Sequence, residues 1–166
     1  MKINFKKVLK DIAIVLVMLF LISNILSYLR QSTLAFEHFP KTKTMLLDGK
    51  TFDSEAVKGK PLLVHFWALW CPTCKVEAPN IQRLSKEYEV LSIVVNSGED
   101  DKVKSYMKAH DLDFRVINDK HGHWAKKFNV EAFPTTFIYD ANGSVKFTEV
   151  GYTTTVGLLT RMKILE

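Results

Sequence analysis

Cysteine is scarce in this chain: two of 166 residues, Cys71 and Cys74, three positions apart. A bridge between them closes so short a loop that it staples almost nothing. A disulfide-scaffolded fold is therefore excluded, and the chain must fold on its apolar core. With no second C-x-x-C, half of a structural zinc site is all that the pair could supply. Glycine (7) and proline (5) are too few for a linker-rich chain, and no internal repeat or low-complexity tract stands out. Long basic runs are also missing. The net charge is +5, but Lys2, Lys6, Lys7, Lys10 and Arg30 stand against Asp11 alone in residues 1–30. Residues 31–166 hold 18 basic and 17 acidic side chains. A body so close to neutral carries no electrostatic footprint for nucleic acid.

An apolar run is present instead. Residues 12–29, IAIVLVMLFLISNILSYL, are 18 long and uncharged. As a helix such a run spans about 27 Å, enough to cross a hydrocarbon core. Four lysines precede it and Arg30 follows. That bias predicts a cytoplasmic N-terminus and a body on the far side of the membrane. The alternative is a cleaved signal peptide, with a weak cleavage site after Ala35, although a usual signal h-region is shorter. No cysteine follows closely, so a lipid-modified anchor is not expected. The expected organisation is a cytoplasmic stub and single transmembrane anchor over 1–30, a tether over 31–42, and one domain over 43–166.

Within that domain, Asp48-Gly49 separates short strands at 44–47 and 51–52. Residues 61–68, PLLVHFWA, form a nearly continuous apolar run, as a strand buried on both faces requires. A helix is expected over 72–88, a second buried strand over 90–96, and an amphipathic helix over 99–110 with an acidic first turn. A strand at 114–118 and a short helix at 122–128 follow. Strands at 135–139 and 144–150 join through Asp140-Ala141-Asn142-Gly143, a hairpin turn, and a last helix covers 155–165. Strands alternating with helices, then a hairpin and a closing helix, predict an α/β sandwich around a mixed sheet. Asn142-Gly143-Ser144 also matches a glycosylation sequon, but the turn accounts for those residues.

The chemistry is expected at Trp67-Ala68-Leu69-Trp70-Cys71-Pro72-Thr73-Cys74-Lys75. A C-x-x-C after a buried strand and opening a helix reads as a redox motif of thioredoxin type. Cys71 falls at the helix N-terminus and Cys74 one turn later, so the sulfurs can meet. Pro72 suits the first helical turn, where a missing N–H costs nothing. Free N–H groups, the helix dipole and nearby Lys75 favour a thiolate on Cys71. An exposed nucleophile at Cys71 and a more buried resolving thiol at Cys74 are predicted.

The blocks FWALWCPTCKVEAP at 66–79 and FPTTFIYDANGSV at 133–145 make residues 43–165 resemble the thioredoxin superfamily. The match is to the membrane-tethered TlpA/ResA-like branch of extracytoplasmic reductases. Within it, the chain resembles the ScsD-like type, named for suppression of copper sensitivity. The resemblance implies a thioredoxin-like α/β/α sandwich and a cis Phe133–Pro134 bond beside Cys71. It also implies a substrate surface that includes Trp70, Pro72, Thr73, Phe133 and Pro134. Glu77 matches an active-site glutamate of ResA-like reductases that sets thiol acidity and relays protons. An acidic residue favoured by the helix dipole is the other reading of Glu77.

His65 departs from the pattern, since classical thioredoxins carry Asp and the TlpA-like branch often Asn at that place. A buried imidazole there either exchanges a proton with Cys74 near neutral pH or is a satisfied core residue. Trp67 reads as packing. Pro79 should kink its helix. His121 and His123 are too few for a closed metal site and read as surface histidines.

By the resemblance the chain reduces disulfides of client proteins. It needs no cofactor and no resident metal, and it draws electrons from a membrane thiol donor of the DsbD, ScsB or CcdA kind. Its place is the inner membrane with the domain on the periplasmic side. Two alternatives use the same cysteines: a disulfide oxidase or isomerase, and a Cu(I)-binding module, since two thiolates suit Cu(I).

Overall fold

The computed structural model describes residues 36–166 and, ahead of them, positions 11, 14, 15, 17, 18 and 22. The chain divides into two units, Met1–Leu34 and Ala35–Glu166. The six described positions of the first unit are helical and exposed, and the rest of the 12–29 stretch expected to span a membrane lies outside the described residues. Among the described residues, no helix is long and apolar enough to cross a membrane.

In the second unit, β1 (Lys43–Met45) and β2 (Thr51–Asp53) form the expected hairpin, with Thr44 opposite Phe52. Gly49 takes φ +84 in its turn, a conformation that an L side chain resists. A 3-10 turn over Ser54–Val57 leads to β3 (Leu62–Trp67), every residue of which is buried. Then follow α1 (Pro72–Leu84), β4 (Glu89–Val95), α2 (Asp100–Ala109), β5 (Arg115–Asp119), α3 (His123–Lys127), β6 (Thr135–Tyr139), β7 (Val145–Val150) and α4 (Thr155–Ile164). The five-stranded sheet runs β5-β4-β3-β6-β7. β3, β4 and β5 are parallel, while β6 is antiparallel to both β3 and β7. The mixed sheet is what the sequence pattern predicts, and its strand order fits the fold that the resemblance implies.

Alternation along β3 sends Leu63, His65 and Trp67 to one face and Val64 and Phe66 to the other. On the first face, Leu63 and Trp67 join Ile81 and Leu84 of α1, Val103 and Met107 of α2, and Leu158 and Met162 of α4 in one core. On the second, Phe66 and Phe137 meet Phe128, which follows α3, at centroid distances of 5.2 and 5.8 Å.

Two expectations differ from the structure. The first helix ends at Leu84, not residue 88, because Ser85 caps it and Glu87 N–H turns back to the Leu84 carbonyl. It continues through Pro79. The second difference lies in residues 36–42, read from the sequence as part of a tether. Here Phe36 packs on Phe128, and Phe39 packs on Phe52 and Tyr139. Phe39 N–H donates to the Gly143 carbonyl, and Val145 N–H donates to that of Glu37. Two aromatic side chains thus bind this stretch to the domain, and their burial outweighs the freedom of a loose tether.

A candidate thiol–disulfide active site

Cys71 is the N-cap of α1, with extended backbone (φ −89, ψ 113), and Pro72 is the first helical residue. Its Sγ accepts the backbone N–H of Cys74 at 3.1 Å. Such a donor, free because no earlier helical turn exists, stabilises negative charge on the sulfur once the pair is reduced. Here Cys71 and Cys74 are joined as a disulfide, with Cα atoms 5.3 Å apart. The approach to Cys71 is fixed by its neighbours. Leu69 N–H donates to Ser97 Oγ at 2.9 Å, Ser97 Oγ donates to the Val95 carbonyl, and Cys71 N–H reaches back to the Ala68 carbonyl.

The exposed nucleophile expected at Cys71 needs correction. Cys71 is only 5 % exposed and Cys74 is fully buried. The covering comes from its seating: Sγ lies 3.6 Å from the Phe133 carbonyl oxygen and against the first turn of α1. Cys71 keeps what little access the pair has.

The second block of the sequence closes the other side. The Phe133–Pro134 bond is cis. Thr135 Oγ1 donates to the Ala132 carbonyl at 2.8 Å, and Gly151 N–H donates to the Pro134 carbonyl at 2.8 Å, so the loop is held from both ends. The Phe133 ring meets Trp70 edge-on at 5.6 Å, and Trp70 Nε1 donates to the Asn96 carbonyl. Trp70 is nevertheless 59 % exposed. Pro72 and Thr73 are also exposed, whereas Pro134 is buried. Of the residues predicted as a substrate surface, Trp70, Pro72 and Thr73 are open, Phe133 is half-buried, and Pro134 is buried.

Glu77 is fully buried. Its Oε1 accepts Thr153 N–H at 2.8 Å, while Oε2 has no hydrogen-bond partner among the described residues. Burial pushes its pKa up to about 7, the Thr153 N–H pulls it down, and the nearby Glu149 carboxylate raises it further. A buried carboxyl with an open oxygen, one turn beyond Cys74 on the same helix face, can hold or release a proton near neutral pH. Such burial sets it apart from a solvated surface acid.

His65 is a different case. Its Nδ1 lies 3.0 Å from Thr136 Oγ1, and burial pushes its pKa down to about 3. It stays neutral at ordinary pH, as a satisfied core residue does. The strand registers place Ser92, His65, Thr136 and Glu149 side by side across β4, β3, β6 and β7. A polar row thus crosses the sheet on the face that α1 covers. His121 and His123 stand 5.8 Å apart. No group of three or more metal-ligating side chains exists among the described residues.

Ser97, Asn96, Thr136 and Thr153 escaped the sequence reading. Asn96 and Ser97 end a buried strand, and Thr136 interrupts an apolar one. Those are the only signals they leave, because each acts through a partner distant in sequence.

A mixed five-stranded sheet, a C-x-x-C pair capping a helix and a cis-proline loop against the first sulfur define a thioredoxin-like thiol–disulfide oxidoreductase. The Redoxin family model matches residues 35–161, and the chain belongs to that family. It is similar to a thioredoxin-like protein of Haemophilus influenzae, 32 % identical over 165 residues and 98 % of each chain. The thiol-disulfide oxidoreductase ResA of Bacillus thuringiensis subsp. konkukian is 36 % identical over 103 residues, 60 % of each chain. Among solved structures, the pneumococcal exposed lipoprotein thioredoxin of Streptococcus pneumoniae aligns with TM-score 0.66 and 28 % identity. That match covers 76 % of this chain and all of the other.

Proposed function

We propose that this chain is a membrane-anchored, extracytoplasmic oxidoreductase of the ScsD-like type that reduces disulfides in client proteins. The carrying observation is Cys71 Sγ at the helix cap, 3.1 Å from Cys74 N–H and facing the Phe133 carbonyl. In the first step the Cys71 thiolate attacks a client disulfide. One client sulfur leaves as a thiolate and takes up a proton, and a mixed disulfide forms. In the second, Cys74 gives its proton to the Glu77 carboxylate and attacks Cys71 Sγ. The Cys71–Cys74 disulfide forms, and the second client sulfur departs as a thiolate that takes up a proton from water, so two electrons have passed to the client. Trp70, Pro72, Thr73 and Phe133 form the surface that meets the client, with Pro134 shaping the loop beneath.

Reductase activity in an oxidising compartment requires recharging. The electron source in this reading is a membrane thiol donor of the DsbD, ScsB or CcdA kind. The uncharged 12–29 stretch behind four lysines supports an inner-membrane anchor with the domain outside. The similarity to an exposed lipoprotein thioredoxin agrees with that side. The neutral Pro72-Thr73 dipeptide supports the reducing direction, because no histidine between the cysteines favours the thiolate form.

The test is the reduction potential of the full chain in mild detergent, equilibrated in thiol–disulfide buffers and read by thiol alkylation. A value near that of thioredoxin, about −270 mV, is expected. A value near that of DsbA, about −120 mV, would make the chain an oxidase.

A further inference from the structure

The donor on Glu77 comes from a loop, and the loop has an anchor outside the cysteine motif. Residues 151–154 connect β7 to α4 and lie against α1. Gly151 opens the loop with φ +95, and its N–H is bound to the Pro134 carbonyl. Thr153 N–H is bound to Glu77 Oε1. One short segment therefore touches both halves of the active site.

Besides the bond from Thr153 N–H to Glu77, three hydrogen bonds tie this segment and the start of α4 to α1, and all three use one side chain. Asn80 Nδ2 donates to the Thr153 carbonyl at 2.9 Å and to Tyr152 Oη at 3.3 Å. Thr155 Oγ1 donates to Asn80 Oδ1 at 2.8 Å. Asn80 lies three residues beyond Glu77, so both side chains leave α1 toward the loop. The bond to the Thr153 carbonyl and the bond from Thr153 N–H fix one residue at both its backbone polar groups.

We propose that Asn80 is a positioning residue: it clamps the 151–154 loop on α1 and thereby holds the Thr153 N–H on the Glu77 carboxylate. Without the clamp, the loop is left with its tether at Gly151, the single Thr153 N–H bond to Glu77 and its continuation into α4. The inference rests on Glu77 being the proton acceptor for Cys74, but the positioning itself does not need that role. Of the titratable groups on the elements packed around Glu77, Glu149 of β7 acts on it and is paired at 2.7 Å with Arg161 of α4; the others are His65 on the sheet face under α1, Tyr152 in the loop and Cys74 on its own helix. Of these, only Tyr152 is bound to Asn80, and shortening Asn80 takes away the donor on its Oη.

The experiment follows the Glu77 carboxyl directly, by carbon-13 NMR of the full chain carrying labelled glutamate. The Glu77 signal is the one missing from Glu77→Gln. In Asn80→Ala the midpoint moves up by about one pH unit, because a hydrogen bond that favours the charged form is lost. Thr155→Val removes one of the three bonds at constant shape and shifts the midpoint the same way by less. An unchanged midpoint in both folded variants overturns the proposal. Should Asn80→Ala fail to fold, Thr155→Val decides alone. The role of Glu77 is judged separately. If Glu77→Gln leaves the pH profile of disulfide exchange as in the parent, the proton-acceptor reading fails whatever Asn80 does.

Discussion

The two faces of the central sheet are built from different materials. The face toward α3 is aromatic: Phe52, Phe66, Phe128, Phe137 and Tyr139 are buried there, and Phe36 and Phe39 seal it. The face under α1 is apolar at its edges but crossed by Ser92, His65, Thr136 and Glu149, with Glu77 buried above it. The aromatic face can only stabilise. The other face holds groups whose protonation is shifted in opposite directions by the same burial, Glu77 upward and His65 downward. The polar row at the centre of the sheet thus lies on the side that carries the cysteines, where it can act on sulfur chemistry, whereas Asp119 and Thr135 on the other face are used in local hydrogen bonds.

The largest effect on chemistry comes from the cysteines themselves: Cys71→Ser abolishes turnover with any disulfide substrate, measured by loss of client disulfide, while the fold persists. The largest effect on stability comes from the aromatic face. Phe128→Ala removes a ring packed on Phe36, Phe66 and Phe137 and lowers unfolding free energy in urea by about 3–5 kcal/mol. The exchange rate of the remaining folded protein is unchanged.

The polar face is sharpened by pH. Glu77 has a folded pKa of about 7 against 4.5 when free. The folded state holds its proton more tightly, so this group's contribution to stability falls as pH rises through that window. His65 goes from 6.5 down to about 3, the unfolded state binds the proton more tightly, and stability from this group falls as pH drops below 6.5. Between about pH 4.5 and 6.5 the two slopes oppose each other and largely cancel in the parent chain. Glu77→Gln exposes the histidine slope, with stability rising with pH. His65→Gln exposes the glutamate slope, with stability falling with pH, each on the order of 2 kcal/mol across the window. Urea unfolding at several pH values checks both, and parallel flat profiles in the two variants would contradict the assignment. The smallest effect is at the rim. Trp70→Phe loses the bond to the Asn96 carbonyl and weakens client binding by about 0.5–1.5 kcal/mol, seen in KM with kcat unchanged.

Much of this was legible in the sequence. The apolar run at 61–68, the Cys-Pro-Thr-Cys helix start and the Asp140–Gly143 turn are local signals, and each falls on the element it predicts. The cis bond at Pro134 was reached only through resemblance, since nothing local marks a cis proline. The packing of Phe36 and Phe39 was missed because a short stretch with two aromatics reads as a linker until the surface that receives them exists. The clamp by Asn80 and the His65–Thr136 pair span more than 70 residues each, a distance at which composition and periodicity are silent. The coverage of Cys71 was hidden for the same reason: its neighbour Phe133 is 62 residues away.

The central claim is the division of labour within the cysteine pair, with Cys71 attacking and Cys74 resolving. Its most direct test is trapping. Full-length Cys74→Ser and Cys71→Ser, reduced and mixed with a disulfide-bonded peptide, are examined by mass spectrometry without reductant. The account predicts a stable mixed disulfide on Cys71 in Cys74→Ser and little or none on Cys74 in Cys71→Ser. Equal trapping at both positions, or faster trapping on Cys74, would contradict it.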